Sequence, residues 1–466
     1  MWRSISKDTI PWNLLRGSHP RAVISNIATI MLKGTFSLLS CKALSAPKSV
    51  LGRAAVVRAA CLGLTSRGFA SGPVLAERST AVFNWGMGTQ GQLGHEKISL
   101  VKAGFLGTEN YFQDAPRRLV RSKQYTELSC GNSYTLGLTD TGEVHGWGKG
   151  FSGDDSESLV PVAIDMSAAR DRDRKIVKVV AGPRHCAAID DQGSVLTWGD
   201  NGGWYEGGGQ LGHGDTQAVA VPTYVTALDE HGVRCADVSL GDQHSVFRTE
   251  DGEVLTCGDG SFGRLGTGDT ANVETPMVVT ELMDHTITQV AAGHSHTLAL
   301  SSSGKVFSWG KNDKGQVGEN DAFDVNSMEP YPLQIDMTVD GKETSDKPVF
   351  VSAGQKRSAV VTSEGNCYVW GWDLNHIPTI VDRSLFGNMR IKKAFCGGEK
   401  HRCLSLLLED GSLWTTGNAG NHMLGWAGAS GLQRDFHKVG QGAWDNRELR
   451  GIYTGRFHMA VIADMV

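Results

Sequence analysis

The 466-residue chain lacks the marks of several protein classes. Its nine cysteines include no Cys-x-x-Cys pair, and several fall inside strand-like patterns, so we interpret them as reduced, buried small side chains. The most apolar early segment, residues 23–39, is interrupted by Lys33 and Gly34. A membrane-spanning helix needs about twenty consecutive apolar residues, so none is predicted there. Long stretches of helical periodicity are also missing, which argues against a helical fold.

Motifs of common enzymes are absent too. The sequence contains no phosphate-binding Gly-rich loop that opens a helix, no nucleophile elbow and no zinc-protease helix motif. Gly86-Met-Gly88 and Gly148-Lys-Gly150 lie at the ends of predicted strands, which is the wrong context for a dinucleotide fingerprint. Cys396, His401 and Cys403 could suggest a metal site, but His401 belongs to a repeat described below. We therefore predict no catalytic residue, no metal site and no cofactor.

What the chain does contain is an internal repeat with a mean period of about 55 residues. A fixed period of this size indicates a repeat architecture. A Trp-Gly-like dipeptide occurs seven times, at Trp85-Gly86, Trp147-Gly148, Trp198-Gly199, Cys257-Gly258, Trp309-Gly310, Trp370-Gly371 and Thr416-Gly417. A Gly-x-x-His-like tetrad alternates with it and begins at Gly131, Gly182, Gly241, Gly293, Gly354, Gly398 and Gly455.

Residues that recur at equivalent positions favour a shared packing role over chemistry. For the histidines we expect a hydrogen bond that fixes the turn between neighbouring strands. Tyr134 and Arg357 stand where the other tetrads have histidine. The predicted structural residues are Trp85, Trp147, Trp198, Trp309, Trp370, His185, His244, His296, His401 and His458.

The unit around Trp309 indicates what each repeat is. Residues 287–293, 296–300 and 305–309 read as three strands, and Ser303-Gly304 forms a tight turn between the last two. A unit of about four short strands cannot bury both faces alone, so the copies must pack side by side. The sequence therefore predicts an all-β, seven-bladed β-propeller of four-stranded blades.

The phase of the repeats predicts how the ring closes. The first dipeptide has no tetrad before it, and the last tetrad has no dipeptide after it. The simplest solution pairs residues 449–463 with residues 81–85 in one shared blade. This pairing removes the exposed strand edges that a linear array would leave.

The order of these motifs, followed by Gly-Gln-Leu-Gly elements such as Gly91-Gln-Leu-Gly94 and Gly209-Gln-Leu-Gly212, resembles the regulator of chromosome condensation family of seven-bladed propellers. The resemblance covers residues 81–464. It implies the fold but does not choose a function, because members act as nucleotide exchange factors, ubiquitin-ligase modules, photoreceptors or assembly factors. The photoreceptor branch places tryptophans inside the tetrads. Here no Trp follows a tetrad glycine, which excludes light sensing.

The first 69 residues have a different composition. They contain ten Lys or Arg residues and a single acid, Asp8, with abundant Ser and Ala and no repeat motif. This composition is typical of a mitochondrial or plastid transit peptide. A basic tail for nucleic acid or nuclear import is the alternative, but the charges are scattered along the segment. We predict a mitochondrial transit peptide at 1–69, cleaved after Phe69, then a linker at 70–80 and the propeller at 81–466.

Removal of that segment changes the charge of the protein. The whole chain carries −5, and residues 1–69 contribute ten positive charges and one negative charge, so −14 remains for residues 70–466. A net acidic propeller suits bare RNA or DNA poorly. It would attract basic proteins, such as ribosomal proteins, or the basic face of a GTPase.

Departures from the repeat are the places where a specific partner could bind, because loops carry function on a rigid scaffold. The third unit has an enlarged loop that contains Asp200, Trp204, Tyr205 and Glu206, and its two aromatic rings are candidate interface anchors. The alternative is that Trp204 folds back onto its own blade. In the family's exchange-factor branch a wedge in the corresponding loop opens the GTPase, but the residues here differ.

Two other long segments depart from the repeat. Residues 96–115 hold Tyr111 and Phe112, which we also predict to contact a partner, and residues 319–347 are acidic. Both are interpreted as long loops. The sixth unit is compressed instead and has lost its Gly-Gln-Leu-Gly element.

The sequence thus predicts a non-catalytic mitochondrial scaffold or assembly factor, in the matrix or peripheral on the inner membrane. The favoured partner is the mitoribosome, or another organellar ribonucleoprotein or respiratory complex. Guanine nucleotide exchange on a mitochondrial GTPase is the first alternative, and direct RNA binding or processing is the second.

Overall fold

The structure is a computed structural model. It describes residues 79–96, 111–119, 122–153, 156–202, 208–319, 327–337, 345–372, 374–398, 403–444 and 447–465. The predicted transit peptide, most of the predicted linker, and Trp204, Tyr205, Glu206 and His401 lie outside these residues. The first strand begins at Thr80, and residues Arg78–Val466 form one unit.

The described residues form seven four-stranded antiparallel sheets, which confirms the predicted seven-bladed β-propeller. We number the blades I to VII from the one that contains the first strand. Blade I consists of β1 (Thr80–Met87), β2 (Phe112–Arg118), β27 (Leu449–Thr454) and β28 (His458–Asp464). Blade II consists of β3 (Tyr125–Cys130), β4 (Tyr134–Thr139), β5 (Val144–Lys149) and β6 (Glu157–Ala163). Blade III consists of β7 (Ile176–Ala181), β8 (His185–Asp190), β9 (Val195–Gly199) and β10 (Val219–Tyr224).

The remaining blades follow the same order along the chain. Blade IV consists of β11 (Cys235–Leu240), β12 (His244–Thr249), β13 (Val254–Gly258) and β14 (Val273–Val278). Blade V consists of β15 (Ile287–Ala292), β16 (His296–Ser301), β17 (Val306–Lys311) and β18 (Met328–Ile335). Blade VI consists of β19 (Pro348–Ala353), β20 (Arg357–Thr362), β21 (Cys367–Gly371) and β22 (Thr379–Ile380). Blade VII consists of β23 (Ile391–Gly397), β24 (Cys403–Leu408), β25 (Leu413–Asn418) and β26 (Leu432–Val439).

Blade I closes the ring as the repeat phase predicts. Its strand order is β2-β1-β28-β27, so both ends of the described chain contribute to one sheet. The β1–β28 register runs from Thr80 opposite Asp464 to Gly86 opposite His458. Trp85 lies opposite Met459, and both side chains are completely buried. The ring is therefore fastened by a continuous antiparallel ladder rather than by a loose contact.

Short connections shape each blade. Glycines with positive φ, such as Gly304 at 87° and Gly252 at 86°, allow the hairpin between the second and third strands. Two one-turn helices, α1 (Ser167–Asp171) and α2 (Thr226–Glu230), lie in the connections that follow blades II and III. Each buries one side chain, Ala169 or Leu228, under the neighbouring blade edge.

The two segments interpreted as long loops contain strands. Residues 96–115 include the start of β2 at Phe112, and residues 319–347 include all of β18. Both strands are outermost in their blades, contain proline and are only partly buried. An outer strand of this kind lacks the apolar run that marks the inner strands, so sequence pattern alone missed it. Blade VI is compressed as predicted, since its outer strand has only two residues.

Candidate protein-interaction face

The strand order gives the propeller two different faces. One face carries the hairpins between second and third strands together with the connections from blade to blade. The other carries the tetrad turns between first and second strands and the loops between third and fourth strands. We call the second one the tetrad face. All of the Gly-Gln-Leu-Gly elements and the enlarged blade III loop belong to its loops, so this is where the blades differ most from one another.

A ring of buried histidines lies directly under the tetrad face. At four blade junctions a tetrad histidine approaches a Ser or Thr hydroxyl on the second strand of the next blade through its Nε2 atom. The pairs are His185–Ser245 at 2.8 Å, His244–Thr297 at 3.0 Å, His296–Ser358 at 3.0 Å and His458–Thr135 at 2.7 Å. All four imidazoles have no exposed surface. The bond joins neighbouring blades, whereas the sequence predicted a bond that fixes a turn.

The direction of these bonds follows from the hydroxyl protons. Ser245 donates its proton to the carbonyl oxygen of Gln210 at 2.7 Å, and Ser358 donates to that of Gln316 at 2.7 Å. A hydroxyl has one proton, so it must accept from the histidine. The Nε2 atom of His185 is therefore protonated, and its Nδ1 has no hydrogen-bond partner among the described residues.

The same loop carbonyls also hold the repeat tryptophans. Trp309 donates from Nε1 to the carbonyl of Arg264 at 3.0 Å, and Trp370 donates to that of Gln316 at 2.9 Å. In blade IV the Trp position is taken by Cys257, whose Sγ lies 3.6 Å from the carbonyl of Gln210. The loops of blades III, IV and V are thus fixed from below by the next blade, which makes this part of the face a rigid platform.

The histidines of this ring are not acid–base groups at neutral pH. Burial lowers the pKa of His185, His296 and His458 to about 3. Burial, helped by the positive charge of Arg264, lowers the pKa of His244 well below its usual value. A Cβ atom at Gly241 would overlap the His244 ring, so glycine at the first tetrad position gives the imidazole its space. Their role in this structure is to pack and to donate a hydrogen bond.

Blade VII departs from this arrangement. Leu404 pairs with Thr416, as Ser245 pairs with Cys257 in blade IV. By this register Cys403 occupies the strand position that His244 has in blade IV. The sequence assigned that position to His401, which lies outside the described residues. Burial raises the pKa of Cys403 to about 11, and its Sγ lies 3.6 Å from Ser405 Oγ.

Asp200, one of the predicted partner-binding residues, lies at the tetrad face and is partly exposed. It begins the blade III loop and pairs with Arg184 of the adjacent tetrad turn, with 3.3 Å between Oδ2 and Nη1. Both side chains are about 40% exposed. At the base of this loop, the backbone amide of Gly208 donates to the carbonyl of Asn201 at 3.3 Å.

Tyr111 and Phe112 both make contacts within the propeller. Tyr111 is 7% exposed, and its hydroxyl lies 3.3 Å from Nδ1 of His95. Phe112 stacks on His422 of blade VII with ring centroids 4.5 Å apart. These contacts join blade I to its own loop and to blade VII. Of the two, only the half-buried Phe112 retains exposed surface that a partner could touch.

Sequence reasoning missed a charged cluster where the tetrad-face loops of blades IV, V and VI meet. It consists of Phe262, Arg264, Lys311, Asp313 and Lys356. The one available signal was Arg264, which replaces the Gln of the Gly-Gln-Leu-Gly element. Its guanidinium forms a buried ion pair with Asp259 at 3.2 Å.

A shallow cavity of about 140 Å³ lies at the axis, lined by the tetrad glycines and the residues after them, among them Asn132, Asp242 and His294. Asp242 pairs with His294 at 3.3 Å, whereas the side-chain oxygens Oδ1 of Asn132 and Oε1 of Gln355 have no hydrogen-bond partner among the described residues. No group of three metal-ligating side chains occurs in the described part of the chain. Nor does any helix there have the length and apolarity to cross a membrane.

Fold and face together define a seven-bladed β-propeller whose blades are joined by histidine–hydroxyl bonds beneath a variable loop face. A family model for the RCC1-like domain matches residues 73–344, which is more than half of the chain. The chain therefore belongs to the RCC1-like domain family, as the motif order indicated.

Several curated proteins are similar to this chain. The ultraviolet-B receptor UVR8 of Arabidopsis thaliana is 32% identical over 299 residues, which are 63% of this chain and 61% of UVR8. The mitochondrial RCC1 domain-containing protein RUG3 of the same plant is 31% identical over 62% of this chain and 60% of RUG3. The human E3 ubiquitin-protein ligase HERC2 is 33% identical over 51% of this chain, but only 5% of HERC2 is matched. The chain thus spans about three fifths of the first two relatives.

Solved structures support the fold. Human WBSCR16 superposes with a TM-score of 0.69 at 22% identity and covers 83% of this chain and 99% of its own. Prp20p of Saccharomyces cerevisiae, studied for its binding to Gsp1p and histones, superposes with a TM-score of 0.71 at 17% identity and covers 84% of this chain and 93% of its own. At these identities the likeness concerns the fold.

Proposed function

We propose that this protein is a non-catalytic mitochondrial scaffold or assembly factor that binds protein partners through its tetrad face, with the mitoribosome as the favoured assembly. The observation that carries the proposal is the contrast between a rigid buried ring and a varied loop face above it. Four histidine–hydroxyl bonds and the loop carbonyls hold the platform in place. Rigid platforms with variable loops are the usual design of binding proteins.

The mitochondrial part of the proposal rests on two independent observations. Residues 1–69 have the composition of an import signal, with ten basic residues and one acid. The relative RUG3 is mitochondrial by its name, at 31% identity. The ribosomal part rests on charge: the −14 net charge of residues 70–466 attracts basic proteins, which are abundant in ribosomal particles.

The test is affinity purification of the tagged chain from isolated mitochondria, followed by mass spectrometry and sedimentation. Co-migration with a ribosomal subunit, retained after nuclease treatment that spares the subunit, supports the proposal. Recovery only in light fractions free of ribosomal and respiratory-complex proteins overturns it. A chain without residues 1–69 is the matched control for import, because it should stay outside the organelle.

Guanine nucleotide exchange is the second candidate. The observation in its favour is the blade III loop, which has five more residues between Gly199 and Gln210 than the loop between Gly258 and Arg264 has in blade IV. This loop corresponds to the wedge of the exchange-factor branch. Release of labelled nucleotide from purified mitochondrial GTPases tests it. Acceleration by micromolar protein would favour exchange, and unchanged release from every GTPase tested would remove it.

Direct RNA binding is the third candidate and the one that the net charge favours least. Crosslinking of the purified chain, residues 70–466, to mitochondrial RNA tests it. Recovery of a defined RNA would replace the protein-scaffold proposal with an RNA-processing one.

A further inference from the structure

The charged cluster on the tetrad face surrounds a cavity of about 230 Å³. Blade IV contributes Phe262 and Arg264 from one loop, blade V contributes Lys311, and blade VI contributes Lys356 from its tetrad turn. The cavity is smaller than the roughly 300–1,000 Å³ pockets that enclose drug-sized ligands. Its size therefore suits a single side chain better than a whole small molecule.

Among the described residues, the cations at this cavity outnumber the carboxylates that pair with them directly. Arg264 is paired with Asp259 at 3.2 Å, and both are 3% exposed. Lys356 and Lys311 share the single carboxylate of Asp313, at 3.0 Å and 4.0 Å. These pairs comprise three cations and two carboxylates.

His294, which also lines the cavity, pairs with Asp242 at 3.3 Å. Burial lowers the pKa of His294, although Asp242 acts in the opposite direction. This shift favours the neutral imidazole, so the cationic groups of the cavity are the two lysines and the arginine.

The ammonium of Lys311 is able to donate hydrogen bonds to an anionic ligand. Its ammonium lies 3.8 Å from the centroid of the Phe262 ring, which is a cation–π distance, and makes no hydrogen bond within the described part of the chain. Its side chain keeps 21% of its surface exposed and that of Lys356 keeps 24%. Both side chains are thus partly accessible to solvent.

An unusual backbone conformation places the Phe262 ring. Phe262 has φ of 62°, a left-handed conformation that is costly for a bulky residue. Gln90 and Lys314, at the equivalent positions of blades I and V, are not in this conformation. The ring forms one wall of the cavity, and Trp372 lies 5.4 Å from the Lys356 ammonium nearby. The cavity therefore combines a positive centre with aromatic walls.

The pKa directions agree with this geometry. Burial lowers the pKa of Lys311, and the charges of Lys356, Arg264 and Lys314 lower it further against the opposing effect of Asp313. Burial alone would raise the pKa of Asp313, but hydrogen bonds from Gln316 and Lys356 and the charges of Lys356 and Lys311 lower it overall. Positive charge is crowded here, as expected where an anion is to be bound.

We propose that this cavity binds the carboxylate of an aspartate or glutamate side chain presented by a protein partner, held between Lys311 and Lys356 with its aliphatic stem against Phe262. A single carboxylate can accept hydrogen bonds from the Lys311 ammonium, which makes none within the described part of the chain. A phosphomonoester carries up to two negative charges and would meet the carboxylates of Asp313 and Asp259, so it fits less well than a carboxylate. A nucleic-acid backbone needs an extended positive groove, which a single cavity of this size does not provide. The inference goes beyond the proposed function, because it applies to any protein partner in any compartment.

The test is lysine footprinting of the purified chain, residues 70–466. Brief acetylation is followed by mass spectrometry while the peptide acetyl-Gly-Glu-Gly-amide is titrated at constant ionic strength. We expect saturable protection of Lys311 and Lys356 of threefold or more. The peptide acetyl-Gly-Gln-Gly-amide should give none. Lys305, an exposed lysine in the hairpin on the opposite face, serves as the internal reference and should be unaffected.

Variants separate the cavity from a general charge effect. Lys311→Gln should abolish protection of Lys356, and Phe262→Ala should weaken peptide binding threefold or more. Lys305→Gln is the matched control and should change neither. Thermal unfolding of each variant verifies that it is folded.

Three results would overturn the proposal. The first is no protection by the Glu peptide, and the second is equal protection of Lys305. The third is stronger protection of Lys311 by a phosphoserine peptide or an RNA oligonucleotide than by the Glu peptide. None of these results bears on mitochondrial import or on ribosome co-migration, so the two proposals can fail separately.

Discussion

In blades III, IV and V the buried layer repeats one arrangement three times, whereas the loops directly above it differ in every blade. His185, His244 and His296 each donate to a hydroxyl of the next blade. Above them lie an enlarged loop in blade III and an aromatic, basic loop in blade IV. The blade V segment 311–324 contains two lysines and four acidic residues.

The difference shows that the buried layer tolerates substitution less well than the loops above it. A change in the buried layer breaks a junction between blades and affects the whole ring. A change in a loop above it alters only what the face presents to solvent, because the loop carbonyls remain fixed from below. The variable residues are therefore the ones that can specialise, and the following predictions test this division.

The largest effect is expected from loss of ring closure. Deletion of residues 449–466 removes β27 and β28 and leaves β1 without its partner in the register from Thr80 to Gly86. It also exposes the apolar contacts of Trp85 in the closing blade. We expect loss of cooperative thermal unfolding. Deletion of residues 1–69 is the control and should leave the transition unchanged; a cooperative transition in the first variant would contradict closure by this sheet.

A smaller effect should follow from breaking one junction. His244→Ala removes a buried imidazole and the bond to Thr297, so the free energy of unfolding should fall by about 2 kcal/mol or more. Urea unfolding at pH 7.5 measures it. The exposed His231, which directly follows α2, provides the control, and His231→Ala should stay within about 0.5 kcal/mol of wild type. Equal losses of unfolding free energy in the two variants would contradict the role of the buried histidines in joining neighbouring blades.

The buried histidines also predict a pH dependence. The folded-state pKa of His458 is about 3 because of burial, against an unfolded value near 6.5, so the unfolded chain binds more protons as pH falls. The contribution of the neutral histidine to stability is therefore fully present above pH 6.5 and is lost as the pH falls toward 3. Each such histidine should lower the free energy of unfolding by about 1.4 kcal/mol when the pH falls from 7.5 to 5.5. Urea unfolding at both pH values should show a shallower dependence for His458→Gln, and an unchanged dependence would refute this assignment.

Two tryptophans offer a matched comparison within the buried layer. Trp309 donates from Nε1 to the carbonyl of Arg264, whereas Nε1 of Trp147 has no partner among the described residues. Both rings are completely buried. Trp309→Phe should therefore cost about 1 kcal/mol more in unfolding free energy than Trp147→Phe. Chemical denaturation of both variants checks this, and a reversed order would show that ring packing outweighs the hydrogen bond.

The smallest effect on stability is expected in the blade III loop. Trp204→Ala combined with Tyr205→Ala should leave the melting temperature nearly unchanged while it weakens partner recovery from mitochondria. A large drop in melting temperature would mean that these rings belong to the core, and the interface role predicted for them would be wrong.

Much of the fold could be predicted from the sequence because it depends on short, repeated signals. Blade number and ring closure follow from the phase of the dipeptides and tetrads. The outer strands β2 and β18 were missed because they contain proline and are only partly buried, without the continuous apolar run of an inner strand. The position of Cys403 was missed because the blade VII turn is longer than in the other blades, which shifts the register relative to the motif.

The candidate site was less predictable, because it depends on contacts between units. Tyr111 is buried, and its hydroxyl contacts His95, which lies sixteen residues earlier in the chain. The cluster at Lys311 requires three blades to meet, and the left-handed conformation of Phe262 has no local sequence signal such as glycine. Spacing within one repeat cannot reveal either feature. The partner-binding role of Asp200 remains a prediction, and its exposed position on the tetrad face is compatible with that role.

The central claim is that protein partners bind the tetrad face. Crosslinking mass spectrometry of the complex purified from mitochondria tests it directly, because lysines lie on both faces. The account predicts that links to partner proteins concentrate on Lys149, Lys311 and Lys356 at the tetrad face. Links concentrated on Lys175, Lys305 and Lys347, at the hairpin face, would contradict it.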